Sequence, residues 1–153
     1  MADILAFDPG RVTGFCRMTV DDKGLDFLIM NSFEIDWDER LATIYHIFTK
    51  AQEDDYIVVE AFRLFPHKAM QQVGSDFPSS QVIGIIEAMC YINQVQPKQV
   101  VYQVPGDISR VQVLDKDLEY VAGSPHKIDA YRHARLFFLR HFLSNPFQEA
   151  HNE

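Results

Sequence analysis

Ile4-Leu-Ala-Phe-Asp8-Pro-Gly10-Arg-Val-Thr-Gly14 is the stretch that decides the fold of this chain. It begins as a short apolar run and stops at an acid followed by Pro-Gly, which is typical of a tight turn. Extended character resumes at residues 12–20, and Asp21-Asp-Lys-Gly24 then marks a second turn. The pattern predicts an antiparallel meander of three strands, over residues 4–7, 12–20 and 25–33.

Beyond this meander, helices alternate with strands. Residues 37–51 carry apolar side chains at helical spacing (Leu41, Ile44, Tyr45, Phe48), and residues 56–60 form a β-branched run that closes on an acid. We predict strands over residues 56–60 and 98–103 and helices over residues 37–51, 80–94 and 125–143, the last of them capped by Ser124. The helix over residues 80–94 is apolar almost all round, so we expect it to be deeply packed. Residues 104–123 are polar and allow a short helix from Asp107.

Composition indicates one globular domain, spanning residues 1–153. The formal charge of −8 argues at first against a nucleic-acid binder. However, residues 1–60 carry thirteen acids against five Lys/Arg, whereas the remainder carries nine of each. Cys16 and Cys90 have no CxxC partner, so we expect two buried thiols. Without a signal sequence or an apolar run of about 20 residues, the chain is expected to be cytoplasmic and to avoid membranes.

Acidic residues at strand ends carry the chemical interest. Asp8 ends the first predicted strand and Glu60 ends the fourth. Two such acids on neighbouring central strands repel each other unless a cation lies between them, and their oxygens suit Mg²⁺ or Mn²⁺. The last predicted helix carries His126 and Asp129 on one face, with His133 on the same side. This conjunction predicts a two-metal site for phosphodiester hydrolysis.

Each of these residues also has a structural interpretation. Asp8 before Pro-Gly fits an Asx turn, and Glu60 fits a solvated strand end. His126 and Asp129 fit electrostatic partners of the helix N-terminus, while His133 is more typical of a structural or surface residue. The conjunction of all of them favours the catalytic interpretation.

Three stretches of the chain together resemble the RuvC-like Holliday-junction resolvases, in the form carried by phage-type members. The first is residues 4–15, which contain the D-P-G-x-x-x-G element, and the second is Val58-Val-Glu60. The third is Ser124-Pro-His-Lys-Ile-Asp-Ala-Tyr-Arg-His-Ala134. Their order and spacing match that family from residue 4 to about residue 140.

The resemblance implies an RNase H-like α/β fold with a mixed five-stranded sheet, three antiparallel N-terminal strands plus two parallel strands, flanked by helices. It implies a homodimeric endonuclease that nicks four-way DNA junctions symmetrically with two Mg²⁺ ions, for which Mn²⁺ can substitute. Asp8 would bridge both metals, and Glu60 and Asp129 would ligate one each. His126 takes the place of a fourth carboxylate, so it is either a ligand or a general acid/base.

Residues that face DNA are expected both from the family and from the positions of basic side chains in this sequence. An aromatic side chain just beyond the second acid stacks on a base there, which indicates Phe62 or Phe65 here, although both also fit core positions. Basic residues expected near phosphates are Arg11, Arg63, Lys68, Lys127 and Arg132. Residues 104–123 depart from the family pattern, because they carry only Arg110 and Lys116 where the family has several lysines.

Other functions stay open on sequence grounds. The chain is also consistent with cleavage of other branched DNA such as forks and flaps, or of RNA–DNA hybrids, because phosphodiester chemistry is shared and substrate shape is read elsewhere. A catalytically silent RNase H-like module that only binds DNA or a protein is a further alternative.

Overall fold

Five strands form one mixed sheet in a computed structural model that describes residues 1–61 and 77–143. The strands are β1 (Ala2–Asp8), β2 (Val12–Val20), β3 (Phe27–Asp36), β4 (Tyr56–Glu60) and β5 (Val100–Gln103). Their order is β3-β2-β1-β4-β5, with β3-β2-β1 antiparallel and with β4 and β5 parallel to β1. The predicted mixed sheet of three antiparallel and two parallel strands is confirmed.

Four α-helices surround this sheet in the described ranges. They are α1 (Arg40–Thr49), α2 (Pro78–Ile92), α3 (Leu118–Val121) and α4 (Pro125–His141). The Ser124 hydroxyl accepts a hydrogen bond from the Lys127 backbone N–H, as expected of the cap. The helix predicted from Asp107 is corrected: a 3₁₀ turn (Pro105–Ile108) holds that residue, and the α-helix begins at Leu118.

Alternating side chains of the central strands fill two cores, one on each face of the sheet. On one face, Ile4, Ala6 and Val58 pack with Ala130 and Tyr131 of α4. The opposite face packs against α1 and α2 through Leu5, Phe7, Phe15, Ile57 and Val59. The central strands are therefore covered on both faces, as the apolar run of residues 56–59 predicts.

Two predicted helical faces need correction. In α1, Ile44, Ile47 and Phe48 are buried, but Leu41 and Tyr45 are 60% and 58% exposed. In α2, the buried residues form one stripe (Val82, Ile86, Met89, Cys90), so this helix is not deeply packed all round. An amphipathic helix on a sheet buries only the stripe that faces the sheet, and the apolar residues off that stripe stay exposed.

Both cysteines are buried and unpaired, as expected. Burial raises the pKa of the Cys90 thiol to about 11, which keeps it protonated. None of the helices in residues 1–61 and 77–143 is both long and apolar enough to cross a membrane.

Candidate active site

The carboxyl ends of the three parallel strands meet at one edge of the sheet. Phe7 of β1 pairs with Val59 of β4, so the residues that follow them, Asp8 and Glu60, are neighbours. Glu60 in turn pairs with Gln103 at the end of β5. Strand alternation directs these three polar side chains to the face covered by α4. One edge of the sheet thus gathers two acids and an amide beneath a helix.

The N-terminus of α4 lies directly on this edge because β2 carries a glycine there. A Cβ at Gly14 would overlap the backbone carbonyl of His126, so only glycine permits this approach. The cap residue Ser124 donates a hydrogen bond from its hydroxyl to the Glu34 carboxylate of β3. Together these contacts fix the first turn of α4 above Asp8.

Asp8 is the most enclosed acid of the site. Only 8% of the residue is exposed, and the nearest imidazole nitrogen, Nδ1 of His126, lies 3.5 Å from its Oδ2. Burial, followed by repulsion from Glu60 and Asp129, raises the pKa of Asp8 to about 8. A carboxyl group with such a raised pKa would be stabilised in its ionised form by a cation bound nearby.

A buried histidine holds Glu60. The Nε2 atom of His133 lies 2.7 Å from Oε2 of Glu60, and its Nδ1 atom lies 2.8 Å from Oε1 of Gln103. His133 is fully buried and Gln103 is 4% exposed. Since both ring nitrogens are engaged, the imidazole has a fixed orientation and fixes the Glu60 carboxylate in turn.

Asp129 completes the set from the second turn of α4. Burial raises its pKa, and the charge of Glu60 raises it further, while Arg132 acts in the opposite direction. The Nη1 atom of Arg132 lies 3.6 Å from Oδ1 of Asp129. The side chains of His126 and Asp129 are 42% and 38% exposed, so the site opens on the α4 side.

The donor chemistry of this set fits a hard divalent cation. Three carboxylates and an imidazole lie near one another, and a cation beside Asp8 would offset both the burial and the neighbouring acids that raise its pKa. Within residues 1–61 and 77–143, no three metal-ligating side chains are already close enough to share one ion. Cation binding would therefore require the carboxylates to turn toward the ion.

The structure thus brings together all four residues predicted as catalytic and metal-binding: Asp8, Glu60, His126 and Asp129. Sequence reasoning missed the contact of His133 with Glu60 and did not consider Gln103. The available signal for His133 was its position four residues after Asp129, on the same side of the helix. For Gln103 the signal was its place at the end of a parallel strand.

The residues predicted to face DNA divide into two groups. Arg11 is exposed in the turn after Asp8, and Lys127 and Arg132 are partly exposed on the first two turns of α4. Phe62, Arg63, Phe65 and Lys68 lie outside the described residues.

No protein-family model matches the chain, and no curated protein matches it in sequence. Solved structures do match it. T. thermophilus RuvC in complex with a Holliday junction substrate is 11% identical, with a TM-score of 0.64 over 92% of this chain and 95% of that one.

Two further solved structures come from fowlpox virus. Its Holliday junction resolvase is 16% identical, with a TM-score of 0.57 over 93% of this chain and 99% of that one. The same resolvase in complex with substrate Holliday junction DNA is 13% identical, with a TM-score of 0.56 over 94% and 99% of the two chains. The chain therefore shares the RNase H-like fold of RuvC and the fowlpox resolvase.

Proposed function

We propose that this chain, acting as one nuclease domain, is a divalent-metal-dependent endonuclease that nicks four-way DNA junctions. One observation carries the proposal: Asp8, Glu60 and Asp129 gather at the carboxyl edge of the sheet, where burial, followed by repulsion from the other two acids, raises the pKa of Asp8 to about 8. Support for the substrate comes from the solved structures that share the fold, two of which hold Holliday junction DNA.

The residues that would hold the cations are Asp8, Glu60, His126 and Asp129. We propose two Mg²⁺ ions, for which Mn²⁺ can substitute, and Asp8, the most enclosed of these acids, would be their main carboxylate ligand. When bound, such cations supply the charge that activates the attacking water and stabilises the leaving 3′ oxygen. The chain's own part is to hold the carboxylates, the histidine and the scissile phosphate in place.

His126 has two roles open to it. Its imidazole is half-exposed at the mouth of the site and close to Asp8, so it can hold a cation through a ring nitrogen or move a proton at the leaving oxygen. Buried His133 is a positioning residue, since it reaches the substrate only through Glu60.

Basic side chains around the mouth of the site are proposed to hold the DNA backbone. Within the described ranges these are Arg11, in the turn after Asp8, and Lys127 and Arg132, on α4. From the sequence, Phe62, Arg63, Phe65 and Lys68 follow directly on Glu60, so we propose that they contact the junction next to the reacting phosphate.

Two symmetric nicks in one junction require two active sites, and we propose that a homodimer supplies them. A candidate interface is an apolar groove of about 590 Å³ between α1 and α2, lined by Leu41, Ala42, Tyr45 and Met89 with Asp38. Ile92, one helical turn beyond Met89, is a further apolar residue with 66% exposure. Leu41→Glu would place a charge in this interface, so it should shift the molar mass measured by light scattering from dimer to monomer. An unchanged mass for this variant would move the interface elsewhere.

Cleavage of a substrate panel tests the proposed specificity. Four-way junction, three-way fork, flap, linear duplex and RNA–DNA hybrid are each incubated with purified protein and Mg²⁺, and the nicks are mapped on both strands. Paired nicks at symmetric positions in the junction, at a higher rate than on any other member, are expected. Faster cleavage of forks, flaps or hybrids would reassign the substrate without changing the chemistry.

A DNA-binding module without catalysis is the second candidate. It is favoured by the lack, in the described residues, of three ligating side chains already close enough for one ion. A Mn²⁺ titration by calorimetry separates the two candidates: micromolar sites lost in Asp8→Asn support the nuclease, while binding no tighter than millimolar supports the silent module.

A further inference from the structure

A cluster of two arginines and a tryptophan lies outside the acidic site, at the same end of the sheet. Arg40 stacks on the indole of Trp37, with the guanidinium carbon 3.8 Å from the ring centroid, and the guanidinium of Arg11 lies 5.6 Å from the same ring. We propose that Arg11, Trp37 and Arg40 form a binding subsite for the DNA backbone at the same end of the sheet as the nuclease centre, on the side where Trp37 packs against the α1/α2 core. This inference rests on the proposed function.

The position of this cluster follows from strand register. Val12 at the start of β2 pairs with Asp36 at the end of β3, so Arg11 and Trp37 face each other just beyond that pair. Asp8 pairs with Gly14, three residues further along β2 from Arg11. From strand spacing and rise, the cluster lies about 10–15 Å from Asp8. Since one strand of DNA advances roughly 3.4 Å per nucleotide, that distance corresponds to a few nucleotides from the scissile phosphate.

Both guanidiniums are held in place without being neutralised. Nη1 of Arg40 donates a 2.7 Å hydrogen bond to the carbonyl oxygen of Trp37, while its Nε is buried with no hydrogen-bond partner. Acidic residues are present in the same turn (Asp36, Asp38, Glu39). Even so, among residues 1–61 and 77–143 neither guanidinium has a carboxylate within 4 Å. Apart from the buried Nε of Arg40 and its Nη1 atom bonded to Trp37, their donors are therefore available to an external anion.

The turn that carries Arg11 is braced on both sides. The Thr13 hydroxyl accepts a 3.3 Å hydrogen bond from the Gly10 N–H, and Ser79 of α2 donates a 2.9 Å hydrogen bond to the carbonyl oxygen of Pro9. Arg11 itself is exposed, so its guanidinium projects from a fixed backbone. A guanidinium held by a fixed backbone and an aromatic ring loses little freedom on meeting a phosphate.

A phosphodiester backbone is the ligand class that this chemistry fits. Guanidinium groups bind phosphate oxygens by paired N–H donors. A DNA strand bound at this subsite would continue to the acidic site, where the proposed cleavage takes place. The stack also carries its own reporter, because Trp37 is the chain's sole tryptophan.

Salt-dependent junction binding tests the subsite. The parent is the full-length Asp8→Asn protein, which is expected to bind without cleaving, and the probe is a labelled four-way junction in Ca²⁺ at several salt concentrations. Arg11→Gln and Arg40→Gln are compared with Lys98→Gln, which removes one charge at the opposite end of the sheet. Thermal unfolding followed by circular dichroism checks that each variant is folded. Arg11→Gln is the decisive variant, because the exposed Arg11 guanidinium makes no hydrogen bond within the described residues.

Binding constants fall as salt rises, so a plot of the logarithm of the binding constant against log salt has a negative slope. Loss of one phosphate contact should make this slope less steep by about 0.7–0.9 for each arginine variant. Affinity should fall several-fold, while Lys98→Gln keeps the parent's slope. Trp37 emission in the parent should change on titration with unlabelled junction. Parent-like slopes for Arg11→Gln and Arg40→Gln, with an unchanged emission spectrum, would overturn the subsite and the contact of Arg11 with the DNA backbone, and would leave the proposed nuclease activity in place. A parent that binds no DNA would overturn the subsite and the proposed function together.

Discussion

Asp8 is deeply buried next to two other acids, and together these surroundings raise its pKa. Its pKa of about 8 in the folded protein lies far above the ordinary 3.8. The folded protein therefore holds a proton that the unfolded chain releases in this interval, so this residue's contribution to stability is complete below pH 3.8. It is lost as the pH rises through about 8.

Asp8→Asn removes this dependence, because an amide has no charge to desolvate. In EDTA at pH 9 the variant should be more stable than the wild type, by at most about 6 kcal/mol from 1.36 kcal/mol per pKa unit. The difference should shrink steadily toward pH 4. Thermal unfolding at a series of pH values measures it, and parallel curves for the two proteins would contradict the assigned pKa. Added Mn²⁺ should raise the melting temperature of the wild type more than that of the variant.

His133 is fully buried between Glu60 and Gln103, so its replacement should affect Glu60 first. We expect His133→Ala to raise the Mn²⁺ concentration needed for half-maximal cleavage by about 10–100-fold, as outer-sphere substitutions typically do. His46→Ala, at an exposed histidine of α1, is the matched control. A wild-type Mn²⁺ requirement in folded His133→Ala would mean that the histidine only fills space.

The approach of α4 to the sheet depends on a residue without a side chain. Gly14→Ala places a methyl group against the His126 carbonyl, so the first turn of α4 or the start of β2 must shift. We expect a loss of about 2 kcal/mol or more in denaturant unfolding, together with severe loss of cleavage. Gly84→Ala is the control, because a Cβ there meets nothing within 4 Å and alanine favours the interior of α2 by up to about 1 kcal/mol. Similar stability changes for the two variants would contradict the close-approach argument.

Elements with a strong local pattern could be predicted from sequence. β2 and β4 have the predicted bounds, since turn residues and an acid terminate their apolar patterns. β3 runs on to Asp36, three residues beyond its predicted end. A register shift at Arg17/Met18 moves its apolar residues from one face of the sheet to the other, with Ile29 on the α4 side and Ile35 opposite. Such a bulge interrupts the alternation on which strand predictions rely.

Contacts between elements were harder to predict than the elements themselves. The four residues of the acidic site could be predicted from sequence, because each lies at the end of a strand or near the start of a helix that the sequence marks clearly. The contacts of His133 with Glu60 and Gln103 could not be predicted from sequence, because they depend on the pairing of β5 with β4. The polar segment before α4 is similar: the Tyr131 hydroxyl donates a 2.6 Å hydrogen bond to Asp117, a tertiary contact that local pattern does not reveal.

For the molecule as a whole, the charge of −8 is compatible with DNA binding once its distribution is considered. Two divalent cations in the acidic site would bring the formal charge to about −4. The basic side chains proposed to contact DNA, Arg11, Lys127 and Arg132, are exposed or partly exposed in the turn after Asp8 and on α4. Binding without metal should therefore be weak, and junction affinity should fall steeply with added salt.

Metal-dependent cleavage of branched DNA by the acids at the carboxyl edge of the sheet is the proposed function. Its most direct test is the nicking of a labelled four-way junction by wild-type protein and by Asp8→Asn, each with Mg²⁺ and with EDTA. Asp54→Asn, an equivalent change at an exposed acid near the opposite end of the sheet, serves as the control. We expect symmetric nicks by wild type and Asp54→Asn in Mg²⁺ only, and none by Asp8→Asn. Cleavage by Asp8→Asn at the wild-type rate, or cleavage that persists in EDTA, would contradict it.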